Sequence, residues 1–365
     1  MRVAIVCDWL TNQGGAEKVI ESIHEIYPKA TFFTTIFNQK NFPKLKNSKV
    51  VTSFLQKIPF AKTKYPYLFP LMPKVIESFK LDNFDLVISS SHTVAKAVKT
   101  GKNTLHICYC HTPARSLWQS DIDQRGKGLL KKYFIEKLKV WDKKTANRPD
   151  FYLTNSQNVK ARIEKIYARE SVVIYPPVNT DFYQPNSAIK KADFYLFVSR
   201  LIPYKRANLA IEVFKKLRLP LKIVGTGPLE TKLKQMAQNY PNIEFLDAIS
   251  DKNLLKLYQQ AKGLIFPCEE DFGIVPVEAQ SAGLPVIAFN KGGALETIIN
   301  AKTGIFFDTQ SVQSLIAAIK KFEKMKFNLE VTRENALRFS QDKFKKNFRN
   351  FVQTTLKKYQ PIIKK

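Results

Sequence analysis

Short apolar runs recur along the whole chain, each followed by a polar turn and then by apolar residues at helical spacing. Residues 3–7, 32–36, 86–89, 106–110 and 151–154 read as strands in the first half, and 194–199, 221–224, 243–246, 264–267 and 286–289 in the second. After the first of them, residues 16–27 set Val19, Ile20, Ile23, Ile26 and Tyr27 on one helical face. Alternation of this kind predicts βαβ units and mainly parallel sheets, an α/β fold class. The stiff Pro176-Pro177 pair interrupts the series, so a domain boundary is expected there. The last segment carries Phe344, Phe348, Phe351, Val352 and Thr355 on one face of a long helix.

One segment of this pattern has chemistry of its own. Gly263-Leu-Ile-Phe-Pro267 reads as a strand, Glu270-Asp-Phe-Gly-Ile-Val-Pro-Val-Glu278 as a loop entering a helix, and Ala279-Gln-Ser-Ala-Gly283 as its continuation. Pro276 favours a helix start, which sets Glu270 on the loop and Glu278 near the first turn. The two carboxylates then flank a helix N-terminus, whose amides and dipole favour an anion. A ligand with phosphates in its middle and hydroxyls at both ends fits that layout, and a nucleotide sugar is such a ligand. An ordinary strand-helix turn with two surface acids has the same spacing, and spacing alone does not choose between them.

The flanking residues add to this. Glu270-x7-Glu278, with Phe272-Gly273 inside it and Ala282-Gly283-Leu-Pro285-Val-Ile287 after it, resembles the signature of glycosyltransferase family 4, retaining enzymes of the GT-B fold. Phe197-Val-Ser-Arg200-Leu-Ile-Pro-Tyr-Lys205 is similar to the family's Arg-x4-Lys element, which grips the donor pyrophosphate. Arg offers a planar fork of donors and Lys a point charge, so the pair suits a diphosphate leaving group, although two solvated cations in a lysine-rich chain would look the same. Gly14-Gly15, after the first strand, sits where the family has a glycine-rich loop, and Val224-Gly225-Thr-Gly227-Pro228 resembles its glycine turn beside the nucleotide. Cys110-His111-Thr-Pro113-Ala-Arg115-Ser-Leu-Trp118 and Tyr175-Pro-Pro-Val-Asn179 resemble a mannosyltransferase branch that acts on O-antigen and related polysaccharides.

The resemblance implies two Rossmann-like domains with parallel sheets facing a central cleft. Residues 1–177, rejoined by the final helix at 342–365, would bind the acceptor, and 178–341 the donor. It assigns catalytic roles to His111, Glu270, Arg200 and Lys205. Donor contacts fall to Gly14, Gly15, Gly225, Gly227, Phe272, Gly273, Ile274, Val275 and Glu278, and an acceptor phosphate to Arg115. The implied donor is GDP-mannose, the acceptor a lipid-linked glycan, and no metal is expected, since no Asp-x-Asp element stands near the donor loops.

Composition narrows the remaining choices. At 365 residues the chain has room for two cores, and 44% hydrophobic content excludes disorder as a description of the whole. Cys7, Cys108, Cys110 and Cys268 lie in or beside apolar strands without metal spacing, and read as buried thiols of a reducing compartment. No signal peptide or membrane-spanning run is visible, so the expected location is the cytoplasm. The formal charge of +28 calls for an anionic partner. Lys40, Lys44, Lys46, Lys49, Lys57, Lys62 and Lys64 alternate with Phe54, Leu55, Phe60, Tyr65, Tyr67, Leu68 and Phe69, and a second basic region at 127–144 carries Leu130, Phe134, Leu138 and Trp141 at helical spacing. Both suit docking on an anionic membrane surface, on the inner face of the cytoplasmic membrane; the second equally suits a helix that buries its stripe. No nucleic-acid-binding motif is present, so no nucleic acid is expected as a partner. A UDP-sugar enzyme with a soluble acceptor and a non-enzymatic basic adaptor stay open as alternatives.

Overall fold

The structure, a computed structural model, describes residues 1–119 and 129–363, without the side chains of 129–132 and 360–363. The chain divides into two compact units, Met1–Pro177 with Asp342–Lys365, and Val178–Gln341.

In unit 1, β1 (Val3–Cys7), β2 (Thr31–Thr34), β3 (Val50–Thr52), β4 (Leu86–Ser91), β5 (Leu105–Cys110), β6 (Phe151–Thr154) and β7 (Val172–Val173) form one parallel sheet in the order β3-β2-β1-β4-β5-β6-β7. The central strands are apolar at successive positions because both faces are covered. Val3, Ile5 and Cys7 of β1 point into one cluster and Ala4 and Val6 into the other. The helix Gly15–Ile26 packs on the first face through Val19, Ile20 and Ile23, and the long helix Gln341–Ile363 adds Phe344, Phe348 and Val352 there. Met72, Val75 and Ile76 close the opposite face.

Unit 2 repeats the plan with β8 (Tyr195–Val198), β9 (Leu221–Val224), β10 (Ile243–Phe245), β11 (Gly263–Phe266), β12 (Val286–Phe289) and β13 (Gly304–Phe307), in the order β10-β9-β8-β11-β12-β13. Helices Ala207–Leu217 and Val312–Glu323 bury their stripes against Phe197, Ile223, Ile265 and Ile287. Helix Ile274–Ser281 lies on the other face, with Ala279 packed among Leu264, Val286 and Ala288. The chain enters and leaves this unit side by side, with Val178 N–H donating to Phe339 O at 2.9 Å.

Strand order reverses once in each sheet, between β1 and β4 and between β8 and β11. In open parallel sheets the crevice at such a reversal, at the carboxyl ends, is where ligands bind.

Three strands were not expected from the pattern. β3 lies inside the lysine-rich stretch and is only half buried, so it lacks a continuous apolar run. β7 is two residues long, and β13 has only three apolar residues, Ile305 to Phe307, in its four. The expected strand at 32–36 ends at Thr34, because Ile36 O turns to accept Leu10 N–H at 2.8 Å. The two basic aromatic regions meet in unit 1, where Phe69 packs on the cluster that holds Leu138, and a groove runs beside the contact. Pro70, Pro73, Lys74 and Glu77 line one side of this groove of about 280 Å³, and Phe134, Lys137, Leu138 and Trp141 the other. The stripe of helix Leu129–Thr145 is thereby split, with Leu138 buried and Phe134 45% exposed. Lys127 and the side chain of Leu130 lie outside the described residues.

Candidate functional site

In unit 2 the loops after β8 and β11 face each other across the strand reversal. The β8 loop runs through Arg200, which is exposed, to a single 3-10 turn at Pro203–Lys205 and then into helix Ala207–Leu217. The β11 loop carries Glu270. Lys205 Nζ and Glu270 Oε1 form an ion pair, each side chain retaining about a sixth of its exposure, at 16% and 17%. Two carboxyl-edge loops from opposite sides of the reversal are thus joined by a pair of charges that a ligand can reach.

Glycines set the positions of both loops. Gly225 has φ +128°, and a Cβ on it would lie 2.0 Å from Ser199 O; one on Gly227 would lie 2.5 Å from Leu201 O. Ser199 N–H donates to Val224 O and Leu201 N–H to Thr226 O, so the glycine turn after β9 is zipped to the backbone around Arg200. These two glycines shape the cation loop by close packing. On the other side, Gly293 N–H donates to Glu270 O at 2.9 Å, and a Cβ on Gly293 would lie 2.3 Å from Phe272 Cα. Asn290-Lys291-Gly292-Gly293 is therefore the backbone support of the Glu270 loop.

Helix Ile274–Ser281 begins at Gly273, an N-cap in the left-handed region at φ +92° with no side-chain cap on the first amides. The half-buried Ile274 and Val275 form its first turn. Phe272 is 3% exposed and packs on Phe339 at 5.3 Å between ring centroids, so it offers a ligand only its backbone. Glu278 lies one turn deeper than the sequence pattern placed it, as the fifth helical residue, and is 4% exposed. Tyr258 OH donates to Glu278 Oε2 at 3.4 Å, and Tyr183 packs edge-on to Tyr258. Burial, and then the Glu278 charge, push both phenols above their ordinary value, which keeps them protonated as donors.

Unit 1 has its own constellation at the β1/β4 reversal. Asp8, at the end of β1 and 1% exposed, accepts the backbone N–H groups of His92, Val94 and Ala95 at 2.7, 2.6 and 2.6 Å. Its carboxylate therefore fixes the loop that follows β4. His111, at the end of β5, is 8% exposed; its Nε2 is 2.8 Å from Ser90 Oγ and its ring lies 5.0 Å from that of Tyr109. Gly14 and Gly15 are exposed at the start of helix Gly15–Ile26, with Gly14 extended as its N-cap. Buried Glu17 follows in the first turn, and desolvation raises its pKa. Arg115 opens the short helix Arg115–Trp118 and is half buried. Trp118 points back into the fold, where its Nε1 and Tyr167 OH both donate to Asp142 Oδ2, while the buried Lys96 ammonium meets Asp142 Oδ1 at 2.6 Å. Asp8, His92 and Asp142 were not singled out by sequence reading. Apart from the adjacent Thr93 and the nearby Thr145, their partners lie 24 to 87 residues away, so no local spacing could have shown them.

Among the described residues, no helix is long and apolar enough to cross a membrane, and no three His, Cys, Asp or Glu side chains are grouped to hold a metal. The four cysteines are buried free thiols.

Comparison with known proteins is consistent along the chain. Residues 179–339 match the family model described as glycosyl transferases group 1, and residues 13–182 the one described as Glycosyltransferase Family 4. An alpha-1,3/1,6-mannosyltransferase of Homo sapiens is 26% identical over 279 residues, 66% of this chain and 65% of that protein. A GDP-mannose-dependent alpha-(1-6)-phosphatidylinositol monomannoside mannosyltransferase of Mycobacterium tuberculosis is 29% identical over 170 residues, 40% of this chain and 44% of that protein. The match thus spans about half to two thirds of the length of these curated relatives. Among solved structures, sucrose-phosphate synthase from Thermosynechococcus elongatus superposes with a TM-score of 0.76 at 16% identity, covering 97% of this chain and 99% of that one. Anabaena HepE with UDP-glucose gives 0.71 at 16% identity, covering 97% and 100%.

Proposed function

The chain belongs to glycosyltransferase family 4 and has the GT-B fold, and on that footing we propose that it moves mannose from GDP-mannose to a lipid-linked glycan with retention at the anomeric carbon. The observation that carries this reading is the Lys205–Glu270 pair at the β8/β11 reversal, followed in sequence by the uncapped start of helix Ile274–Ser281. Departure of a nucleoside diphosphate builds negative charge, and preorganised donors aimed at that charge are the usual largest source of rate enhancement. Arg200, Lys205 and the amides of Ile274 and Val275 supply them. Glu270 accepts from hydroxyls of the sugar ring, and Glu278, held by Tyr258, from the ribose diol. His111 takes a sugar hydroxyl, and Arg115 a phosphate of the acceptor. The two acids act as donor ligands, not as the nucleophile and acid of a retaining glycosidase; the leaving phosphate takes the acceptor proton.

Mannose as the sugar is supported by the names of the relatives, one of them GDP-mannose-dependent. A lipid-linked acceptor fits the surface of unit 1, where Phe60 (74% exposed), Tyr67 (82%) and Phe134 stand among Lys57, Lys62, Lys64 and Lys137. In this reading that face rests on an anionic membrane leaflet and the enzyme is peripheral. Calorimetric titration with GDP-mannose, UDP-glucose and UDP-N-acetylglucosamine tests the assignment. GDP-mannose should bind most tightly, and preference for a uridine donor would overturn mannose while leaving the pyrophosphate clamp in place.

A further inference from the structure

Of the four histidines, His24 and His106 are packing residues and His111 has a role above; His92 has none. It follows β4 at the β1/β4 reversal, and its side chain is 29% exposed. Its Nδ1 lies 2.8 Å from Thr93 Oγ1 and 3.5 Å from Asp8 Oδ2, and its ring stands edge-on to Trp9 at 4.6 Å. Asp8 is itself immobilised by three backbone N–H groups. A fixed carboxylate beside Nδ1 favours the tautomer with the proton on that nitrogen, which leaves Nε2 as a lone-pair acceptor. Among the described residues Nε2 has no hydrogen-bond partner. Glu17 lies close by: the Asp8 charge acts on it, and a Cβ on Gly14 would lie 2.9 Å from its Oε2. The exposed glycine pair thus leaves the ground beside these groups clear of side chains.

We propose that His92 is an acceptor-binding residue, whose Nε2 accepts a hydrogen bond from a hydroxyl of the acceptor saccharide, with Asp8 as the positioning residue that sets its tautomer. A buried carboxylate placed 3.5 Å from an accessible imidazole is a costly arrangement for a loop that needs only to fold, because the backbone bonds to Asp8 already fix the loop without the ring. The inference rests on unit 1 being the acceptor side.

Histidine 15N spectra of the full-length protein test it, with octyl α-mannoside as the probe and His92→Gln to assign the signal. The expected result is an Nδ1-protonated His92 whose Nε2 resonance moves on titration with the glycoside, without any nucleotide present. An Nε2-protonated ring, or no movement up to the solubility limit of the probe, overturns the proposal. Two variants separate binding from folding. His92→Gln places an amide where Nε2 was and His92→Asn where Nδ1 was, so Gln should keep glycoside affinity within about twofold and Asn should lose about fivefold or more, the scale of one neutral hydrogen bond. The opposite order would mean that the ring serves only its Asp8 and Thr93 contacts, which also overturns the proposal. Failure of the donor reading would appear separately, as absence of heat with GDP-mannose.

Discussion

Lys205 and Glu270 meet as an ion pair across the strand reversal of unit 2, although 65 positions separate them in sequence. Each belongs to a loop whose backbone is fixed by glycine contacts, so the pair holds two charges at set positions at the sheet's carboxyl edge. Lys205→Ala or Glu270→Ala should lower turnover by about 100-fold or more, the usual scale for losing one preorganised charged contact. Far-UV circular dichroism should stay unchanged, because neither side chain enters a core cluster. Wild-type turnover in both variants would remove this pair from the site.

Gly293→Ala probes the support of the Glu270 loop. The residue has φ −65°, so alanine fits its backbone conformation, but the new methyl would meet Phe272 Cα at 2.3 Å. No rotamer change relieves contact with a main-chain atom, so the 270–273 loop must move. Donor turnover should fall by about 100-fold, as displacements near 1 Å can do, with a smaller change in melting temperature. Crystals of the variant showing an undisturbed loop would contradict this account.

His106 makes stability sensitive to acid. Burial beside Ser89 lowers its pKa from 6.5 to about 3. Above pH 6.5 the imidazole is neutral in both states; below it the unfolded chain takes a proton that the folded chain refuses, so acid favours unfolding. The stabilising contribution is present above pH 6.5 and is lost at about 1.4 kcal/mol per pH unit, or about 2 kcal/mol by pH 5. Urea titrations at pH 7 and 5 should show this loss in the wild type and a smaller one in His106→Gln. Equal losses would rule His106 out as the cause.

Lys96→Met should destabilise unit 1 by about 3–5 kcal/mol, because it leaves the Asp142 carboxylate buried without its cation. Trp118 and Tyr167 still donate to that carboxylate, so the fold should persist with a lower urea midpoint. A shift below about 1 kcal/mol would show that the two neutral donors suffice.

Sedimentation with vesicles of anionic lipid tests the proposed membrane-docking face. Binding should weaken as salt rises, because exposed lysines act through a screened potential. Phe60→Ser and Tyr67→Ser should each reduce partitioning by about tenfold, the worth of one inserted aromatic side chain. Equal binding to neutral vesicles, or tighter binding to duplex DNA, would count against this surface.

The parallel sheets were legible because both faces are covered, which turns each central strand into an apolar run; 3–7, 151–154, 221–224 and 286–289 coincide with β1, β6, β9 and β12. Edge strands such as β3 lack that signal. Glu270 and Lys205 were legible as residue types in flanking patterns, but their pairing follows from strand order, which no local spacing encodes. Gly225 and Gly227 resemble from sequence a glycine turn beside the nucleotide, and the structure adds that their missing side chains admit the backbone around Arg200. Asp8 and His92 were invisible for a related reason: an acid ending a strand and a histidine in a serine-rich stretch look ordinary until the β1/β4 reversal sets them side by side.

The long helix Gln341–Ile363 supplies Phe344, Phe348 and Val352 to the core under β1 and β5, yet the whole of unit 2 precedes it in the chain. On the ribosome, unit 1 must therefore wait for its last wall. At synthesis rates of about 5–20 residues per second, roughly 10–40 s pass between β6 leaving the peptidyl centre and Phe348 being made. Unit 2, whose residues are contiguous, can complete its own core first. During that interval the apolar face around Ile5 and Ile107 is open to chaperones or to a second nascent chain, so expression yield should depend on that wait more than on the stability of the finished protein.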